Sequence, residues 1–175
     1  MYLAIDTQSD IAFAVNKLTQ FMQNPQQIYW IAVKRVFHYL KYTCTNKLTY
    51  RGDDDVLNTD LNIFCDTDWA SDASNRKSVS GYVITMAGGA ISWSSKKQTS
   101  IALSTTEAKY IAATHVTKQV LWQRLLFTEL DFEIPTTSTI FTDNQADIQL
   151  LKALHHSLIQ NITVLLCIHD ALNLH

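Results

Sequence analysis

Between residues 61 and 97 the chain carries three short runs rich in strand-forming residues. The links between them fall short of the dozen or so residues that a crossover needs. The runs "LNIFCDTDW", "SVSGYVITMAGG" and "AISWSSKK" therefore predict an antiparallel meander, with Gly88 and Gly89 in its second turn. A long helix comes next, from about Ser104 to Leu130, with Ala108, Ile111, Ala112, Val116, Val120 and Leu121 on its inward stripe. Beyond Pro135, "STIFTDN" reads as a strand, "NQADIQLLKAL" as a helix and "ITVLLCI" as a last buried strand. The order βββαβαβ predicts an α/β fold with a mixed sheet, because strand–helix–strand crossovers make their strands parallel.

Ahead of this region the apolar spacing is helical. Residues 9–24 predict a helix capped by Ser9 or Asp10, with Ile11, Val15, Leu18, Phe21 and Met22 on one stripe. A second helix starts near Pro25, with Trp30, Val33, Val36, Phe37 and Leu40 at helical spacing. Neither carries a chemical motif. They form a small helical module, and the polar stretch "RGDDDVLN" at 51–58 marks its boundary with the strand-rich region.

A chain of 175 residues, 47% of them hydrophobic, can bury one core. Its formal net charge of −2 supplies no bulk field for a polyanion, so any grip on nucleic acid must be local or assisted by metal. The three cysteines, Cys44, Cys65 and Cys167, form no CxxC pair, and the histidines, including the adjacent His155 and His156, show no zinc spacing. The N-terminus lacks a basic segment, and Asp6 and Asp10 interrupt its apolar residues, unlike a signal peptide. No uncharged apolar run approaches the roughly 20 residues of a membrane span. These features predict a soluble intracellular protein, cytoplasmic or nuclear, with no membrane partner.

Carboxylates stand where strands end. Asp66 closes the first strand, Glu107 opens the long helix and Asp143 closes the fourth strand in "FTDNQ". If the first and fourth strands are neighbours, these three can converge. Three hard oxygen donors from separate elements suit magnesium, and without a cation they would raise one another's pKa values. Each also has a structural alternative: Asp66 and Asp143 as turn residues, and Glu107 as the far member of a capping box in "STTE" with Ser104 as cap. Asp68 shares a face with Asp66 if the strand continues, while Asp72 and Asp147 read as solvated.

The motifs "DWASD", "RKSVSGY", "AISWSSKKQ" and "LSTTEAKY", followed by "FTDNQADIQLLK", resemble in order and spacing the ribonuclease H domain of Ty1/copia-type retrotransposon Pol polyproteins. Residues 9–41 resemble the trailing end of the reverse transcriptase just upstream in those polyproteins, so the likeness covers about residues 9–152. It implies a ribonuclease H-like fold over 60–175, truncated or divergent after about 153, and a helical remnant of the reverse transcriptase over 1–52. The implied activity is metal-dependent hydrolysis of the RNA strand of an RNA–DNA hybrid. The resemblance places Asp66, Glu107 and Asp143 as catalytic and metal-binding residues, with Mg2+ as cofactor and Mn2+ as the alternative. The paired-aspartate hairpin of a reverse transcriptase is missing from the sequence, so no polymerase activity is expected. The family closes on a segment like "KHIDIRYHFIRE". In "QNITVLLCIHD" Asn161 stands in place of its histidine and Thr163 falls at the fourth acidic position, so a weakened or lost activity is expected, with Asp170 downstream.

Arg76, Lys77, Lys96 and Lys97 lie at strand ends, where they would touch hybrid phosphates or simply guard the sheet edge. Trp69 and Trp93 read as core packing rather than base stacking. A hybrid-cleaving enzyme is the leading reading. The alternatives are a catalytically silent nucleic-acid-binding module and a non-functional retroelement relic; other parts of a Pol polyprotein are the expected protein partners.

Overall fold

The computed structural model describes residues 2–50, 59–72, 75–135 and 137–142, and the backbone of 162–166. Five strands make one sheet: β1 (Asn62–Asp68), β2 (Val79–Met86), β3 (Gly89–Lys97), β4 (Ser138–Thr142) and β5 (Ile162–Leu166), in the order β3-β2-β1-β4-β5. The meander pairs antiparallel, whereas β1–β4 and β4–β5 pair parallel. The reason is connection length. Short links return β2 and β3 beside their predecessors, while the helix α4 (Thr105–Glu129) carries the chain back across the sheet so that β4 enters in the same direction as β1. The expected helix over "NQADIQLLKAL" and the boundary at 51–58 lie outside the described residues.

The β2–β3 turn sits one residue earlier than expected. Ala87 (φ 50°) and Gly88 (φ 75°) occupy its two central positions, both left-handed, which matches the twist of the flanking strands. Gly89 instead begins β3, where the Tyr50 ring fills the space of a side chain, 2.6 Å from where a Cβ would lie. The Tyr50 hydroxyl donates to the Ala90 carbonyl at 2.8 Å.

One face of the sheet is covered by α4. Ile63 pairs with Ile84 on one side and Ile140 on the other, a row of isoleucines across three strands that Leu61, Val116 and Val120 close into the core. Strand alternation then sends Phe64, Asp66 and Asp68 to the opposite face, where Phe64 stacks on Phe141 with ring centroids 5.0 Å apart. On α4, Ala108, Ala112, Val116 and Val120 are buried as expected, but Ile111 is only half-buried and Leu121 is 43% exposed. Ala113, Thr117 and Gln123 take the remaining buried places. Leu121 follows Val120 by about 100° around the helix, which is enough to turn it off the sheet.

The N-terminal module comprises α1 (Tyr2–Asp6), a 3-10 turn (Ser9–Ile11), α2 (Ala12–Thr19) and α3 (Gln27–Tyr42). The helix expected over 9–24 is therefore shorter and begins as a tight turn, in which the Asp10 carboxylate accepts the Ile11 amide at 3.0 Å. Phe21 and Met22 lie past its end and are exposed, as are Trp30 and Phe37 of α3. The module docks on the edge strand β3: Trp93 Nε1 donates to the Ala4 carbonyl at 2.8 Å, and the Asn16 side-chain amide donates to the Ser95 carbonyl. Within it, the Tyr39 hydroxyl donates to the Asp10 carboxylate. That hydrogen bond, then desolvation and the Asp10 charge, hold the Tyr39 phenol above its usual range. Among the described residues no helix is long and apolar enough to cross a membrane, and Cys44 is an exposed free thiol.

Candidate functional site

Asp66 lies near the C-terminal end of β1, exposed, with its Oδ1 accepting the Thr67 amide at 2.7 Å. Its antiparallel partner is Gly81, so no side chain from β2 stands beside it. Glu107 lies in the first turn of α4 and is likewise exposed. The capping alternative for Glu107 is realised here. Ser104 Oγ accepts the Glu107 amide at 3.1 Å, and Glu107 Oε2 accepts the Leu103 amide at 2.7 Å, one residue further back than the usual box. This uses one of the two carboxylate oxygens. Ser104→Ala is expected to lower stability by about 1 kcal/mol, read from the midpoint of urea unfolding.

What brings the two acids to the same end of the sheet is a contact between their neighbours. Thr67 Oγ1 donates to the Ala108 carbonyl at 3.4 Å, so the residue after Asp66 meets the residue after Glu107. Beside them a hollow opens, lined by Cys65, Asp66, Thr67, Lys109, Ala112, Ala113 and Thr142. Among the described residues no three His, Cys, Asp or Glu side chains are gathered as a metal-binding set, and the third expected donor, Asp143, lies outside them. The donors that are described are hard oxygens, which suits Mg2+ or Mn2+, and magnesium commonly takes only one or two protein carboxylates and completes its shell with water or phosphate. The residues present therefore fit such an ion.

Thr163 proves to sit elsewhere. Its backbone pairs with Thr139, which pairs with Asn62, so it stands level with the start of β1, four residues short of Asp66. That offset is roughly 13 Å along the strands. The residue at 163 is therefore too far along the sheet to decide whether Asp66 and Glu107 share a cation, contrary to the expectation from the resemblance. Asn161 and Asp170 lie outside the described residues.

The basic residues are unevenly placed. Arg76 is exposed at φ 56°, in a loop closed by its own amide donating to the Asp72 carbonyl at 2.7 Å, and Lys96 is exposed on β3. Lys77 is half-buried, its amide held by Asn75 Oδ1 at 3.1 Å. Lys97 forms an ion pair with Asp72, which corrects the reading of Asp72 as a solvated residue. Trp93 is half-buried, but Trp69 is exposed despite donating to the Ala102 carbonyl at 3.3 Å.

The chain is 40% identical over 165 residues, 94% of its length, to the retrovirus-related Pol polyprotein of transposon TNT 1-94 from Nicotiana tabacum. It belongs to the retrotransposon Pol family. It spans only 12% of that polyprotein, and it is 35% identical over 143 residues to another, from transposon RE2 of Arabidopsis thaliana, of which it spans 10%. A further relative of this Pol chain is the secreted RxLR effector protein 161 of Plasmopara viticola, 41% identical over 122 residues, which are 70% of this chain and 84% of the effector. No protein-family model matches the chain. Among solved structures it is similar to LC11-RNase H1 in complex with an RNA/DNA hybrid, at 12% identity and a TM-score of 0.46 over 63% of this chain and 86% of that one. The mixed five-stranded sheet, with β1 between an antiparallel and a parallel neighbour, is the ribonuclease H-like arrangement that the sequence of this Pol chain predicts.

Several residues at this end of the sheet went unseen in the sequence. Thr67, Gln98, Lys109 and Thr142 come from four separate elements or links, and none stands in a pattern that marks it as part of a site.

Proposed function

We propose that this Pol-family domain is a ribonuclease H-like nuclease that hydrolyses the RNA strand of RNA–DNA hybrids, with Asp66, Glu107 and Asp143 as its acidic centre. The observation that supports this reading is the Thr67–Ala108 contact, which joins the residue after Asp66 to the residue after Glu107 at the C-terminal end of the central strand. Support for Asp143 comes from register. β1 and β4 run parallel with Phe64 opposite Phe141, and two residues further along the sequence from each are Asp66 and Asp143. Asp66 and Glu107 would hold Mg2+ or Mn2+, which when bound supplies Lewis-acid activation of water and stabilises charge on the leaving oxygen. The chain's own contribution would be placement: a strand end and a capped helix turn carry the two acids to the same end of the sheet.

Arg76, Lys77 and Lys96 would contact hybrid phosphates, with Lys97 committed in part to Asp72. The segment before residue 52 is proposed as the remnant of a reverse transcriptase C-terminal region, with other parts of a Pol polyprotein as protein partners and an intracellular setting. The test is hydrolysis of a labelled RNA–DNA hybrid in Mg2+ against the same hybrid in chelator. Cleavage that does not depend on the divalent ion, or cleavage of the DNA strand alone, would remove the proposal.

One observation favours a second reading, a hybrid-binding module without turnover. Lys109 lines the hollow beside Asp66, and its positive charge there opposes a dication. Lys109→Ala is accordingly expected to tighten Mg2+ binding by roughly three- to tenfold at low ionic strength, with the gain shrinking as salt rises. Calorimetric titration reads this directly. Hybrid binding that persists in chelator, without cleavage in Mg2+, would select the binding module.

A further inference from the structure

Gln98 is buried at a position where a polar side chain gains the fold little. It comes directly after β3, is only 6% exposed, and its backbone amide donates to the Ser78 carbonyl at 2.8 Å. Its side-chain Nε2 donates twice, to Ser80 Oγ at 2.7 Å and to the Ala108 carbonyl at 2.8 Å. Its Oε1 is buried with no hydrogen-bond partner among the described residues. The orientation of the amide is decided by chemistry, since the Ala108 carbonyl can only accept and would repel Oε1. The net gain from the two hydrogen bonds is comparable to the desolvation cost of the one orphaned buried acceptor. As a stabilising device Gln98 thus comes out near zero, and an apolar side chain of the same length would serve the core as well.

What an apolar side chain would not supply is location. The Ala108 carbonyl receives both Gln98 Nε2 and Thr67 Oγ1, so one acceptor in the first turn of α4 is gripped from the β2–β3 side and from β1 at once. Glu107 precedes that carbonyl's residue and Asp66 precedes Thr67. We propose that Gln98 is a positioning residue, a buried clamp that fixes the separation of Glu107 and Asp66 and so sets the affinity of their site for a divalent ion. This rests on the metal-site reading above and adds to it the residue that holds the geometry.

The experiment compares wild type, Gln98→Met and Thr67→Val by calorimetric Mg2+ titration, by Mn2+-induced broadening of amide resonances near residues 66 and 107, and by melting temperature. Gln98→Met keeps the length of the side chain and removes both donors together with the orphaned oxygen. The expected result is a melting temperature close to wild type with Mg2+ affinity down by roughly tenfold, the size of loss typical when a partner that orients a metal ligand is removed. The double variant should lose less than the product of the two single losses, because both donors act on one carbonyl. Wild-type binding with an unchanged affinity in Gln98→Met would overturn the clamp and leave the metal site standing. An affinity that falls only in step with a lowered melting temperature would also overturn it, by making the role structural. A wild-type protein that binds no divalent ion near residue 66 would take away the metal site and the clamp with it.

Discussion

Asp66→Asn is expected to cut Mg2+-dependent hybrid cleavage by at least about 100-fold, or about 2.7 kcal/mol of transition-state stabilisation, while leaving the fold intact. The side chain is exposed, and its contact with the fold is one oxygen accepting the Thr67 amide. Asparagine keeps a carbonyl oxygen in that place, so the stability change should stay within about 0.5 kcal/mol. What is lost is the negative charge, and a neutral amide oxygen is a far weaker donor to a hard dication than a carboxylate. The expected pattern is therefore an unchanged melting temperature, weakened Mg2+ binding in calorimetry, and little residual cleavage. Equal cleavage by both proteins would show that the release comes from elsewhere than this site.

Ile63→Ala is expected to act in the opposite way, through the fold and not the chemistry. Ile63 is fully buried at the centre of the row formed with Ile84 and Ile140, under Val116 and Val120 of α4. Removing three carbons there leaves a cavity between two rigid layers that can close only in part, for a cost of about 2–5 kcal/mol. In a chain of this size that lowers the melting temperature by roughly 5–15 °C. Ile101→Ala provides the control, since Ile101 is 54% exposed and its truncation should be nearly neutral. A loss at Ile63 no larger than at Ile101 would mean that this row is not the centre of the core.

These two variants separate what holds the sheet from what the sheet holds. Ile63 and Asp66 lie three residues apart on β1 and, by strand alternation, on opposite faces. The covered face supplies rigidity, and the end of the strand supplies the carboxylate. The Thr67 side chain, returning to the α4 face, ties one to the other through the Ala108 carbonyl.

Much of this could be read along the chain. The strand order, the long helix after Ser104, its serine cap and the strand beginning at Ser138 arise from short-range alternation, spacing and capping chemistry, which are local properties. The polar ends of the strands could also be marked as candidate sites, because a carboxylate closing an apolar run is a local anomaly. The details that failed are those in which neighbours in space are distant in sequence. Leu121 belongs to the apolar side chains of α4 yet faces away from the sheet, since the helix must choose one stripe to bury and the sheet makes that choice. Asp72 carries nothing in its own surroundings to announce Lys97, which arrives from another strand. Thr163 aligns with an acidic position, but strand register, a property of the assembled ladder, places it at the other end of the sheet. The sequence by itself thus determined which elements exist and where charge interrupts them. Only the tertiary structure decided which ends meet, because pairing across β1, β4 and α4 is set by long-range packing, and it is that pairing that brings Gln98 and Thr67 to the same carbonyl beside the two acids.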